Sequence, residues 1–184
     1  MTHAVQPEVR QAPDAVEENP ISVQQNTAQQ MIDALNGHVA SLFVLFHQYQ
    51  KHHWVVEGPQ FRDLHLMLQE HYTATHAQAD DFAERIVTLG GVPVGSMVGQ
   101  VERAYINEEA EGVLDLRQML SNDLQANQQI LVKLREDISL AKDLGDYGTQ
   151  KLLKTHLRAQ EMRAQDIMHM LEQEALEDDF AKQD

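Results

Sequence analysis

The stretch whose reading decides the fold runs from His53 to Arg85, HWVVEGPQFRDLHLMLQEHYTATHAQADDFAER. Its start is the end of one apolar helix and its longer remainder is most of another. Between them Glu57-Gly58-Pro59 forces a turn, because proline interrupts a helix and glycine takes backbone conformations closed to other residues. Upstream, Met31, Leu35, Val39, Leu42, Leu45, Phe46 and Tyr49 keep the three-and-four spacing of an amphipathic helix from about Ser22 to Trp54. Downstream, Leu64, Leu68, Tyr72, Ala79, Phe82 and Ile86 carry a second helix from Phe61 to the stop at Gly90-Gly91-Val92-Pro93.

The segment from Val94 to Gly112 mixes glycine and polar residues with a short apolar stretch, which predicts a long connection holding one short helix between Val98 and Ile106. A third helix is expected over Val113–Leu144, with Leu116, Leu120, Leu124, Leu134 and Ile138 on its apolar side and Gly145 after its C-cap. A fourth runs from Tyr147 to Leu176 through Leu152, Leu153, Leu157, Met162, Ile167, Met170 and Leu171. Four long helices joined short, long, short describe an all-α, ferritin-like four-helix bundle with a short helix in the crossover between helices two and three. Residues 22–176 form that bundle. Residues 1–21, broken by Pro7, Pro13 and Pro20, are expected to be a flexible acidic tail, and residues 177–184 a second acidic tail.

Composition narrows the chemistry. A chain of 184 residues can form one domain that buries about 70% of the surface its unfolded form exposes. It has no cysteine, which removes disulfides, thiolate metal sites and a cysteine nucleophile and leaves histidine and carboxylate as metal ligands. There are 10 histidines to supply them. The formal charge of -15 repels nucleic acid and attracts cations. Neither a signal-peptide pattern nor an apolar run of membrane-spanning length occurs, so the protein is read as cytoplasmic, with no membrane partner.

On the second helix a metal-binding face stands out. With Asp80 at zero and about 100° per residue, Glu84 falls near +40°, His76 near -40°, Gln69 near -20° and His65 near -60°. A histidine with two carboxylates suits divalent iron or zinc. His71, near 180°, is expected at solvent or at an interface instead. His65 and Asp80 are fifteen residues apart, about 22 Å along the helix, so one ion cannot bind both within one chain. Two chains packed antiparallel about a two-fold axis would bring His65 of one to Asp80 and Glu84 of the other, and symmetry would make two such sites.

These residues resemble the signature of the Dps family, the mini-ferritins: His53-Trp54, Gly58, Phe61, His65, Asp80-x-x-x-Glu84-Arg85 and the turn Leu89-Gly90-Gly91. The resemblance implies a twelve-subunit hollow shell that oxidises Fe(II), with hydrogen peroxide as the usual oxidant, and stores ferric iron inside, protecting the cell from oxidative damage. It implies a ferroxidase centre at the two-fold interface, with His53 and His65 from one subunit and Asp80 and Glu84 from the other. Gln69 stands where the family usually has an aspartate. His76 and His169 are expected to compensate, giving a histidine-rich centre that also suits zinc. Trp54 is expected to pack beside the centre. His38, His47, His52 and His156 are read as hydrogen-bonded or packing side chains, not ligands.

The resemblance also implies an acidic three-fold pore near the start of the fourth helix, where Asp143 and Asp146 stand. Some family members bind DNA through lysine-rich tails. Here residues 1–20 carry Glu8, Asp14, Glu17 and Glu18 against Arg10, a net -3, and residues 172–184 carry Glu172, Glu174, Glu177, Asp178, Asp179 and Asp184 against Lys182, a net -5. DNA binding is therefore expected to be poor. Two other readings stand beside the ferroxidase: a zinc-binding metal buffer or store with weak ferroxidase activity, and, less favoured, a DNA-compacting shell.

Overall fold

A computed structural model describes residues 9–172. It contains five helices: α1 (Gln25–Val55), α2 (Phe61–Thr88), α3 (Met97–Arg103), α4 (Leu116–Asp143) and α5 (Tyr147–Leu171). The long helices pair as two hairpins, α1 with α2 and α4 with α5, and α3 lies against α1 within the long connection between the hairpins. No described helix is long and apolar enough to cross a membrane.

The apolar spacing read from the sequence becomes the seam between hairpins. Leu35, Leu42, Leu45 and Tyr49 of α1 are fully buried with Leu64, Leu68, Phe82 and Ile86 of α2, Ile130 and Leu134 of α4, and Leu153 and Ile167 of α5. Each such side chain contributes roughly 2 kcal/mol through removal from water, so the seam outweighs any single surface contact. Local signals then set the ends. Asp115 caps α4 by accepting from the Gln118 N–H at 3.0 Å, which starts the helix at Leu116 instead of Val113. Gly145, at φ 74, closes the α4–α5 turn in the conformation glycine favours. Met162 and Met170, expected on the apolar side of α5, are exposed, since the buried stripe passes through Leu153, Gln160 and Ile167.

The start of the described chain departs from the expected flexible tail. Residues 9–24 run as a strap over the end of α2. Gln11 Nε2 and the Glu17 N–H both donate to the Gly90 carbonyl, at 2.8 and 2.9 Å. Asn19 bonds the Val23 backbone through both side-chain atoms, Arg103 pairs with Asp14 at 2.8 Å, and Val16 and Val23 pack on the core. Prolines remove local helix, but they leave the chain free to pair its backbone with a neighbouring turn. Residues 1–8 and the 177–184 tail lie outside the described residues, as does the expected last turn of the fourth helix beyond Glu172.

The strap requires Gly90. Its φ is +88°, and a Cβ there would stand 2.3 Å from the Glu17 carbonyl oxygen. Gly90→Ala is expected to cost about 2 kcal/mol or more in urea unfolding, through strain and loss of the strap. Gly95→Ala, where a Cβ meets nothing within 4 Å, serves as the comparison and is expected to leave the midpoint within about 0.5 kcal/mol of the parent.

Candidate metal centre

His53 stands one turn from the end of α1 and His65 one turn into α2, so the Glu57-Gly58-Pro59 turn brings them face to face. Their rings stack with centroids 3.7 Å apart and 22° between planes. His53 Nδ1 lies 2.8 Å from the His65 carbonyl oxygen, and His65 Nδ1 lies 2.8 Å from the His53 carbonyl oxygen. A carbonyl only accepts, so both rings must carry their hydrogen on Nδ1. Both Nε2 lone pairs are thereby left for a metal, with each ring's orientation held by the bond its other nitrogen makes. The His53 carbonyl is one of those a helix end leaves without a helical partner, so the same contact also finishes α1.

The carboxylate half lies further along the same helix. Asp80, Glu84, His76 and Gln69 are all exposed on α2, as the helical wheel requires. The His76 ring rests against Phe43 and Phe46 of α1, with centroids 5.9 and 5.4 Å away. The Asp80 and Glu84 carboxylates have no ion pair within the described residues, so their charge faces outward uncompensated. Among those residues no three histidine or acidic side chains come close enough to hold an ion. One chain therefore presents two candidate groups, the His53–His65 imidazoles and the Asp80 and Glu84 carboxylates, that do not meet within it. His169, in the last turn of α5, is exposed and joins neither. Trp54 is 67% exposed on this chain, beside the imidazole half in sequence but not packed into the core.

Other histidines go to buried bonds. His52 lies between two carboxylates, with Nδ1 2.9 Å from Asp123 Oδ2 and Nε2 2.9 Å from Glu109 Oε2, and Lys51 joins Glu109 at 2.9 Å. Burial lowers the affinity of His52 for a proton, but the bonds to Asp123 and Glu109 outweigh it and raise its pKa. His156 meets Asp81 at 2.9 Å, and His38 contacts Asp137 and Tyr105. His52 is thus hydrogen-bonded through both ring nitrogens and His38 through Nδ1, His156 lies at ion-pair distance from Asp81, and His47 is exposed. What the sequence reading missed is the acidic side of the network. Asp123, Asn127 and Asp137 share the buried stripe of α4 with Ile130, Leu134 and Ala141, at alternating spacings of four and three. That spacing was visible, and a polar residue inside an apolar stripe is the signal that could have found it.

Two expectations are corrected. His71 is buried at 4% exposure, neither at solvent nor at a surface, with its ring edge on Tyr49 and Nε2 3.7 Å from Asp166. The metal face is the outward face of α2, so the residue opposite it must point into the core. Asp146 is no free acid at a pore: it is buried, caps α5 by accepting from the Thr149 N–H at 3.0 Å, and pairs with Arg85 at 2.7 Å. Asp143, three residues earlier, is exposed.

A ferritin-like domain family matches residues 32–176. A DNA protection during starvation protein of Halobacterium salinarum is 43% identical over 149 residues, which cover 81% of this chain and 82% of that protein. A nutrient stress-induced DNA-binding protein of a Nostoc species is 35% identical over 161 residues, 88% of each chain. Among solved structures, an archaeal Dps homologue from Halobacterium salinarum superimposes with a TM-score of 0.90 at 40% identity, covering 93% of this chain and 96% of that one. The Dps protein of Vibrio cholerae, described as a member of a broad superfamily of ferritin-like diiron-carboxylate proteins, does so at 0.80 and 29% identity, covering 86% and 99%.

The buried His71 yields a test of its placement. Burial, reinforced by the Arg163 guanidinium, pushes its pKa down to about 4 from the usual 6.5. Between those values the unfolded chain binds the proton and the folded chain does not, so stability must fall as pH falls through this window. From pH 7 to pH 5 this group is expected to remove about 2 kcal/mol. His71→Gln, compared with the parent by urea unfolding at both pH values, is expected to lose correspondingly less stability on acidification. An equal loss in both proteins would place His71 elsewhere.

Proposed function

The chain belongs to the Dps family of ferritin-like proteins, and from that premise we propose that it is a cytoplasmic ferroxidase. It oxidises Fe(II) with hydrogen peroxide and stores the ferric product inside a twelve-subunit shell. The observation that carries the reading is the His53–His65 pair, whose hydrogen bonds leave two imidazole Nε2 atoms poised for an ion on a face that continues to Asp80 and Glu84. Because the two halves are separated along α2 by about 22 Å, the site is completed by a second subunit packed antiparallel, which makes assembly a condition of activity.

Iron is the substrate. His53 and His65 bind Fe(II) as neutral nitrogen donors, and Asp80 and Glu84 of the facing subunit add negative charge. Carboxylate is the harder donor and favours Fe(III) over Fe(II) more than imidazole does, so this half draws the ion toward oxidation. Two Fe(II) ions give one electron each to one peroxide, whose O–O bond breaks to two hydroxides. No hydroxyl radical is released when both electrons arrive together. Exposed Asp143 remains the candidate for drawing cations inward, and the -15 charge of each chain favours their approach.

His76 on the same stripe, with Gln69 in place of a carboxylate, supports the competing zinc reading, since additional imidazoles suit zinc and zinc does not change oxidation state. His169 enters either centre only if assembly brings it there. The acidic tails count against DNA compaction.

Stopped-flow oxidation of Fe(II) by peroxide separates these readings. The protein is expected to accelerate Fe(III) formation over a protein-free control, and added Zn(II) to slow it by competition. His65→Ala and Glu84→Gln are each expected to lower the rate about tenfold or more, while retaining the assembled size by gel filtration. A rate equal to the control would sink the ferroxidase reading and leave the zinc store. Strong retardation of DNA at low salt would restore the compaction reading.

A further inference from the structure

We propose that the cavity between α1, α3 and the crossover binds a linear aliphatic diamine, two ammonium groups joined by a short methylene chain. The inference does not depend on the ferroxidase reading, because the cavity shares no residue with the His53–His65 pair or with Asp80 and Glu84.

The cavity forms where the long connection folds back on α1. It encloses about 290 Å3, small for a drug-sized ligand and suited to a short chain molecule. One side is α1 at Val44, His47, Gln48 and Lys51; the others are α3 at Met97, Gln100 and Val101, and the crossover at Glu108, Glu109 and Glu111. With His53 at zero and about 100° per residue, the four α1 residues fall about 120 to 180° around the helix. The cavity therefore lies on the side of α1 turned away from the imidazole pair.

Its three carboxylates are not equivalent. Glu109 is already answered: Lys51 Nζ and His52 Nε2 each lie 2.9 Å from its Oε2, and Asn122 donates to its Oε1 at 2.7 Å. Lys51 is engaged as well, since it also donates to the Ala110 carbonyl at 2.8 Å. Glu108 and Glu111 are exposed and have no ion pair among the described residues. Two negative charges are thus left beside a neutralised pair, and a dication matches them.

The rest of the lining selects an organic dication over a metal ion. Met97 and Val101 of α3 are 74% and 48% exposed, an apolar wall for methylenes to cover. Fully burying one methylene is worth about fourfold in affinity. Gln100 is buried at 9% exposure, yet its side-chain amide makes no hydrogen bond among the described residues, and its carbonyl is an acceptor for an ammonium N–H. Gln48 gives an Nε2 hydrogen to Asp123 at 2.8 Å and keeps its own carbonyl oxygen for the same purpose. A bare divalent ion instead needs oxygens converging at about 2.0 to 2.6 Å. Among the described residues no three histidine or acidic side chains gather closely enough to supply them.

Equilibrium dialysis of the assembled protein against radiolabelled butane-1,4-diamine tests the site. Salt is held at about 0.15 M, so that general attraction to the -15 charge is screened. Saturable binding of one diamine per chain is expected. Butan-1-amine, with one charge, and Mg(II), with two charges and no chain, are each expected to compete at least about fivefold less well. Glu108→Gln and Glu111→Gln are each expected to weaken binding about threefold, and the double variant about tenfold. Val101→Ser is expected to weaken it about threefold by removing apolar wall. These are exposed positions, and Glu70→Gln, at an exposed acid outside the cavity, is expected to bind like the parent. Absence of saturable binding overturns the proposal. Equal competition by Mg(II), or equal weakening in Glu70→Gln and Glu108→Gln, overturns it too, since either marks the diamine as a general counterion. Any of these failures leaves the ferroxidase reading standing, and loss of iron oxidation leaves this site standing.

Discussion

Pairing α1 with α2 along their whole length is the contact on which the other features depend, and it is pinned at both ends by chemistry that tolerates little change. At one end the rings of His53 and His65 exchange hydrogen bonds with each other's backbone across the turn. At the other, Gly91 passes so near Ile32 that a Cβ would stand 2.7 Å from its side chain, and Gly90 accepts the strap. The first of these contacts also engages both Nδ1 atoms and leaves the two Nε2 atoms proposed above to bind iron. Closing the hairpin and orienting the two rings are thus one act, and the proposed imidazole half-site needs no loop of its own to hold it.

The histidines divide according to which face of the hairpin they occupy. His76 is exposed and His65 half-buried, while His53, though buried, makes no hydrogen bond through Nε2 among the described residues. Two of those turned inward, His52 and His38, are held by hydrogen bonds, which offset the several kcal/mol that an unpaired polar group in the core costs. His52 is held by two carboxylates and His38 by one carboxylate and a phenol, so α4 and the crossover are tied to α1 by charge as well as by apolar packing. The same logic explains Arg85 and Asp146. Their pair, with the Thr149 hydroxyl, fastens the end of α2 to the start of α5 and keeps Glu84 on a helix that is anchored immediately beside it.

Much of this was legible beforehand. Apolar spacing located every long helix to within a few residues, Gly145 and the Gly90-Gly91 pair marked their stops, and 3.6-residue periodicity placed His65, His76, Asp80 and Glu84 on one face. Periodicity says which residues share a face, but not which way the face looks. His71 was accordingly assigned to the outside when the stripe opposite it was the outside. Nor does it report on partners distant in the chain. Asp146 read as a loose acid because nothing local to it shows that Arg85, 61 residues earlier, will take its charge. The strap was misread for the same reason, since prolines forbid helix without saying what the backbone will bond to instead.

The sequence by itself determined the bundle, the placing of His65, Asp80 and Glu84 on one face of α2 and the impossibility of joining them in one chain, because helix rise and turn are properties of the local backbone. Only the tertiary structure decided that His53 and His65 stack with both Nε2 atoms free, that Asp146 is neutralised, and that Tyr105 meets His38. Each of those depends on groups brought together from separate helices or across a turn, at distances that packing sets and no spacing along the chain records.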